Sequence, residues 1–192
     1  MAAHDGTMPF RAFIALDIGE RMDWSVLRSE LADAERSLKL VRPEQVHATL
    51  RFLGDVDEGL VGPIEGVMRS AVEGVAPFTV TFSGAGAFPS TRKARVVWIG
   101  MIGAGQLEAI ASSLERGVVA LGLPPEARAF KPHITCARAR GGRPVTRLEP
   151  LLGRWAQTEF GRMEVSSITL KRSVLTPTGP IYDTVLEARL PG

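Results

Sequence analysis

The sequence of 192 residues has little of several things: one cysteine, Cys136, one tyrosine, Tyr182, and three histidines, His4, His47 and His133. A single cysteine excludes an internal disulfide framework and any cysteine-rich zinc site. No run of about 18 apolar residues occurs, which excludes a membrane-spanning helix. The longest uncharged stretch, 74–91, is broken by proline, serine, threonine and glycine. The first residues carry His4 and Asp5 rather than the basic-then-apolar pattern of a secretory signal, so a cytoplasmic location is expected. Excess charge of one sign is missing too, 23 basic against 21 acidic residues leaving a net of +2. With 45% apolar and 23% charged residues the composition is that of a globular protein, which excludes a disordered chain, a collagen and a coiled coil. A chain this long buries roughly two thirds of its unfolded surface and needs neither disulfide nor metal to fold.

What is present is arginine, 19 against 4 lysines. Arg128, Lys131, Arg138, Arg140, Arg143 and Arg147 follow one another with no intervening acid. The planar arginine fork suits phosphate oxygens, and a local basic field speeds encounter with a polyanion. A solvated loop accounts for such a run equally well.

Hydrophobic periodicity predicts a strand at 11–18, a helix at 20–38, a strand at 46–53, a helix at 60–71 and strands at 78–82 and 95–100. The pattern then restarts, with a helix at 107–118, a strand at 132–137, a helix at 148–155 and strands at 163–171 and 182–190. The order helix, strand, helix, strand, strand thus occurs twice, each time after a strand opening with arginine, Arg11 or Arg95. A duplicated module is expected, with repeat units roughly at 11–100 and 95–190 acting as two lobes of a single domain with a cleft between them. Adjacent strands closing each copy favour hairpins, hence an α+β fold with antiparallel sheets flanked by helices.

His47 is followed two residues on by Thr49, and His133 by Thr135, and the two histidines are 86 residues apart, in register with the repeat. Threonine occupies about 6% of positions, so two such matches among three histidines arise by accident in about one chain in a hundred. On a strand, residues i and i+2 face the same side. His47 and Thr49 therefore point away from Ala48, Leu50 and Phe52, which are expected in apolar packing, and His133 and Thr135 away from Ile134 and Cys136. If the two strands are symmetry mates, two imidazoles and two hydroxyls converge on one cleft. Imidazole titrates near neutral pH, so one ring can take a proton while the other gives one, each role being worth about 10² to 10⁴ in rate. Threonine hydroxyls can hold phosphate oxygens for in-line attack. Two histidines alone are a poor zinc set, and Asp55 and Asp57 after the first motif have no counterparts after the second. No metal or other cofactor is expected.

The segments Arg11-Ala12-Phe13-Ile14-Ala15-Leu16, Pro43-Glu44-Gln45-Val46-His47-Ala48-Thr49-Leu50-Arg51-Phe52-Leu53-Gly54 and Phe88-Pro89, followed by the strand of Trp98, carry a resemblance. So do Leu121-Gly122-Leu123-Pro124, Phe130-Lys131-Pro132-His133-Ile134-Thr135-Cys136-Ala137-Arg138, Lys171-Arg172-Ser173 and Gly179-Pro180-Ile181-Tyr182. Over nearly its whole length the chain resembles the two-histidine (2H) phosphoesterase superfamily, and within it the RNA 2′,3′-cyclic phosphodiesterases, once described as 2′-5′ RNA ligases. The resemblance implies a bilobal fold, no metal, and opening of an RNA 2′,3′-cyclic phosphate end to a 2′-phosphate. By the resemblance His47 is assigned as acid on the departing 3′ oxygen and His133 as base on water, roles that the pseudo-symmetry leaves interchangeable, with Thr49 and Thr135 binding the phosphate. Ligation to a 5′-hydroxyl at the same site, or binding of RNA or a nucleotide without turnover, are the alternative activities. The cleft needs only one chain, so a monomer is expected.

Leu40 stands where many relatives have tryptophan, and Cys136 replaces an aliphatic residue on the apolar face, where an inert buried thiol is expected. Arg51, on the parity of His47 and Thr49, is a candidate phosphate contact. Arg138 is another, but it has the opposite parity to His133 and reaches the cleft only if a bulge or the strand end turns it. Phe130 is a candidate for stacking on a base, with core packing as the alternative. Trp24, Trp98 and Trp155 read as core, and Gly84, Gly86, Gly141 and Gly142 as turn glycines.

Overall fold

The computed structural model describes residues 8–177 and 179–192; His4 and Thr178 lie outside them. Nine strands and four α-helices are found among the described residues. Strand β1 (Phe10–Asp17) leads to helix α1 (Ser25–Ala34), short strand β2 (Leu38–Leu40) and strand β3 (His47–Val56). Helix α2 (Val61–Val72), strands β4 (Phe78–Phe88) and β5 (Val96–Ile102), helix α3 (Gly105–Ala120) and strand β6 (His133–Ala139) follow. Helix α4 (Glu149–Arg154) and strands β7 (Glu159–Val165), β8 (Ser167–Thr176) and β9 (Gly179–Arg189) complete the order.

The strands form two sheets, ordered β3-β1-β8-β9 and β2-β6-β5-β4-β7, and every pairing is antiparallel. The fold is a two-lobed α+β architecture. Each sheet mixes early and late strands: β8 completes the sheet begun by β1, and β4 lies between β5 and β7. Helices α2 and α3 pack together, α2 against β9 and α3 against β3, while α1 contacts β2 and α4 contacts β4. Their apolar faces, among them Ile64 and Met68 on α2 and Leu107, Ile110 and Leu114 on α3, are fully buried. Each such side chain contributes about 1.5–3 kcal/mol on leaving water.

Three elements differ from the sequence expectation. The helix expected over 20–38 is confined to Ser25–Ala34. Asp23 Oδ1 accepts from the Ser25 amide at its start, and Glu35 is extended at its end, its carboxylate accepting from the Ser37 amide. Leu38 is thereby released to pair with Ala139 as strand. The strand expected over 163–171 is two strands in different sheets, with the crossing at Ser166. Gly84 and Gly86 lie inside β4 rather than in a turn. Gly84 (φ +73°) is the extra residue of a bulge between Ser83 and Ala85. Gly86 leaves room for the Trp98 indole, which a Cβ there would meet at 2.3 Å.

Candidate active site

His47 and His133 open β3 and β6, strands of different sheets that nevertheless lie against each other. The local geometry of the two motifs is the same. His47 Nδ1 donates to the Gln45 carbonyl at 2.8 Å, and His133 Nδ1 donates to the Lys131 carbonyl at 2.7 Å. A carbonyl only accepts, so the proton sits on Nδ1 in each neutral ring and Nε2 is left for a ligand. Gln45 is itself anchored, its Nε2 donating to Pro180 O at 2.7 Å. Among the described residues neither the Thr49 nor the Thr135 hydroxyl has a hydrogen-bond partner. Both threonines are half-buried, as are both histidines, while Ala48, Leu50, Ile134 and Cys136 are buried behind them.

The motifs also share a bulge. On β3, Ala15 pairs with Thr49 and Ile14 with Arg51, leaving Leu50 as an extra residue; on β6, Trp98 pairs with Thr135 and Val97 with Ala137, leaving Cys136 extra. A bulge inverts the alternation beyond it. Arg138 is thereby turned onto the histidine face, where its positive charge is felt by His47, His133 and Tyr182. The same inversion corrects the expectation for Arg51. It points to the helix side, 5% exposed, in ion pairs with Glu115 on α3 and with Glu126, and it donates to Pro124 O. Its place on the cleft face is taken by Phe52, which is 51% exposed and 6.2 Å from the Phe13 ring. Phe130 is half-buried and packs against the hydrophobic core.

Several residues beside the histidines were not singled out as site residues in the sequence. Phe13 and Tyr182 flank His47 at 4.9 and 5.1 Å between ring centroids, Tyr182 edge-on. Phe88 meets His133 edge-on at 5.1 Å and leans on Trp98 at 5.4 Å. Trp98 is therefore on the histidine face and not in the core; Trp24 is buried as expected, and Trp155 is half-buried against the core, stacked on Phe160. These aromatics are scattered through the chain and gather only once strand register is known. Phe13, Phe88 and Tyr182 do fall in segments that carry the family resemblance, but nothing local in those segments shows that they meet the histidines.

Burial lowers the pKa of both histidines, as the largest effect on each. For His47 the Gln45 carbonyl and the Asp17 carboxylate oppose it, while Lys171 and Arg138 add to it. For His133 the Lys131 carbonyl opposes it and Arg138 adds to it. Burial thus favours neutral rings, and an anion held beside them favours the imidazolium form. Burial also raises the Tyr182 phenol, which stays protonated as a donor at neutral pH. No three His, Cys, Asp or Glu side chains among the described residues are grouped to hold a metal ion. The arrangement can accept a proton at one imidazole, deliver one from the other, and hold an anion between two hydroxyls and a guanidinium.

The chain is similar to proteins of known kind over nearly its whole length. The family model for LigT-like phosphoesterases matches residues 20–98 and 102–182. An RNA 2′,3′-cyclic phosphodiesterase of Methanothermobacter thermautotrophicus is 41% identical over 95% of this chain and 100% of its own. That of Aeropyrum pernix is 41% identical over 85% and 92%. Among solved structures, TT0787 of Thermus thermophilus is 30% identical with a TM-score of 0.71, covering 94% of this chain and 97% of that one. Escherichia coli LigT complexed with 3′-AMP, 23% identical over 96% and 99% with a TM-score of 0.69, shares the fold. Paired His-x-Thr strands in two sheets, matched in both halves by one family model, place this chain in the LigT-like phosphoesterase family of 2H enzymes.

Proposed function

We propose that this chain hydrolyses the 2′,3′-cyclic phosphate end of an RNA to a 2′-phosphate without a metal. The observation that carries the reading is the matched pair of histidines, each with Nδ1 tied to a backbone carbonyl so that Nε2 is the nitrogen that exchanges protons, on two strands that lie against each other. The names of the relatives support the substrate class. His133 Nε2 takes a proton from water as the water oxygen bonds to phosphorus; the P–O3′ bond breaks, and His47 Nε2 delivers its proton to O3′. Thr49, Thr135 and Arg138 hold the non-bridging oxygens, whose charge grows as the fifth bond forms. Water is added across one ester bond, and proton exchange with solvent resets the pair. One chain supplies both motifs, so a monomer is sufficient. The strand pairing β3-β1-β8-β9, echoed by β6-β5-β4-β7, supports a single domain of two related lobes.

Mass analysis of the product from a defined oligonucleotide ending in a 2′,3′-cyclic phosphate tests the proposal. A gain of one water and a 2′-phosphate end are expected, unchanged by chelator. His47→Ala and His133→Ala should each depress turnover by about 10² or more while oligonucleotide binding persists. Near-normal turnover in either variant refutes the roles assigned. Joining to an added 5′-hydroxyl RNA in preference to hydrolysis would identify a ligase, and binding with no product a non-catalytic binder.

A further inference from the structure

The two halves of the site differ at one pair of equivalent positions. The residue opposite His47 on the neighbouring strand β1 is Asp17; the residue opposite His133 on β5 is Gly100. Directly opposed residues of an antiparallel pair share a face, with Cβ atoms about 4.5–5.5 Å apart. Asp17 is held in place. Lys171 Nζ, on a side chain only 12% exposed, lies 2.6 Å from Asp17 Oδ2 and also donates to Thr184 Oγ1 at 2.8 Å. The single Thr169 hydroxyl proton is shared between Ala15 O at 3.2 Å and Asp17 Oδ2 at 3.3 Å. The carboxylate is 43% exposed, at the edge of a cavity of about 300 Å³ that Arg21, Glu164 and Glu187 also line. The charged groups acting on His47 are Asp17 from β1, Lys171 from β8 and Arg138 from β6, with the Tyr182 phenol from β9 beside it. Among the described residues Arg138 is the charged group acting on His133.

We propose that Asp17 is a positioning residue that marks His47 as the proton-bearing member of the pair, Gly100 leaving His133 without such a carboxylate. The assignment rests on the two-histidine reading above. It locates the division of labour between two alike motifs outside the motifs themselves. Lys171 moderates the effect, pinning the carboxylate while offsetting part of its charge.

Titration of the imidazole C–H resonances of the full chain, without substrate, tests this in the wild type, Asp17→Asn and Lys171→Met. Signals are assigned with His47→Gln and His133→Gln. The His47 midpoint should fall by about half a pH unit in Asp17→Asn, a threefold change in protonated fraction, and rise by a similar amount in Lys171→Met. That of His133 should stay put in both. Both substitutions break the same ion pair, so a merely structural role moves His47 in one direction in both. That outcome, or a stationary His47, overturns the proposal. If Asp17→Asn does not fold, Lys171→Met decides alone: a midpoint that fails to rise overturns it. With cyclic-phosphate RNA, the alkaline limb of kcat/KM should move to lower pH in Asp17→Asn, costing about threefold above the wild-type midpoint. Absence of hydrolysis would refute the proposed activity, while the substrate-free titration would still decide the place of Asp17.

Discussion

Arg51 lies two residues beyond Thr49, yet the structure predicts that removing its charge damages stability and spares turnover. Arg51→Met keeps the apolar stem against the helix side and deletes the guanidinium. Left behind are two carboxylates, Glu115 at 31% and Glu126 at 38% exposed, and the Pro124 and Phe52 carbonyls deprived of their donor. Breaking a buried pair by removing one partner costs about 3–5 kcal/mol. These carboxylates regain part of their hydration, so the expected loss is about 2 kcal/mol. For a chain of this size that lowers the melting temperature by about 4–8 °C. Urea unfolding at near-neutral pH measures the loss. Adding Glu115→Gln should recover about 1 kcal/mol of it, the signature of coupling between the two side chains. Turnover at room temperature should stay within about threefold, since the bulge at Leu50 aims Arg51 away from the histidines. A variant that melts like the wild type but turns over about a hundredfold more slowly would show Arg51 at the phosphate and refute this placement.

Gly86→Ala should destabilise the chain by about 1–3 kcal/mol and slow turnover, because the new Cβ at 2.3 Å from Trp98 pushes the indole toward Phe88 and through it His133; Gly66→Ala, with open space around it, is the control, and equal melting of the two would refute the packing described. Cys136 is fully buried and its thiol is pushed far up by burial, so native protein should resist alkylation until denaturant exposes it, as mass spectrometry reads. Both His47 and His133 have lowered pKa values when folded, so the unfolded chain binds more protons below the ordinary imidazole value. Stability should be full above that value and fall as pH drops through it, by up to about 1.4 kcal/mol per pH unit for each histidine. Urea midpoints between mildly acid and neutral pH should show that slope, and His47→Gln with His133→Gln should flatten it.

The chemistry of this site lies on the surface of the sequence because a strand imposes a period of two, and His-x-Thr is the shortest pattern that puts two functional groups on one face. Leu50 and Cys136 mark where that legibility stops. A bulge is set by pairing with a distant strand, so parity misplaces Arg51 and leaves Arg138 undecided until β1 and β5 are in register. Helix α1 is overcalled because Leu38 continues a helical spacing that the extended backbone at Glu35 has already ended. Splitting 163–171 into two strands did have a trace, since buried residues change parity from Met163 and Val165 to Ile168 and Leu170. Asp17, Phe13, Phe88 and Tyr182 join the site through register alone, which local pattern does not encode.

Weaving late strands into an early sheet ties the birth of the site to the order of synthesis. Both histidine motifs leave the ribosome before β8 and β9, and until that hairpin arrives β1 presents a naked edge. The His47 wall then lacks Tyr182 and Lys171, and Gln45 has no Pro180 carbonyl to grip. A nascent chain that already carries both histidine motifs therefore still lacks one wall around His47, which only the closing hairpin supplies.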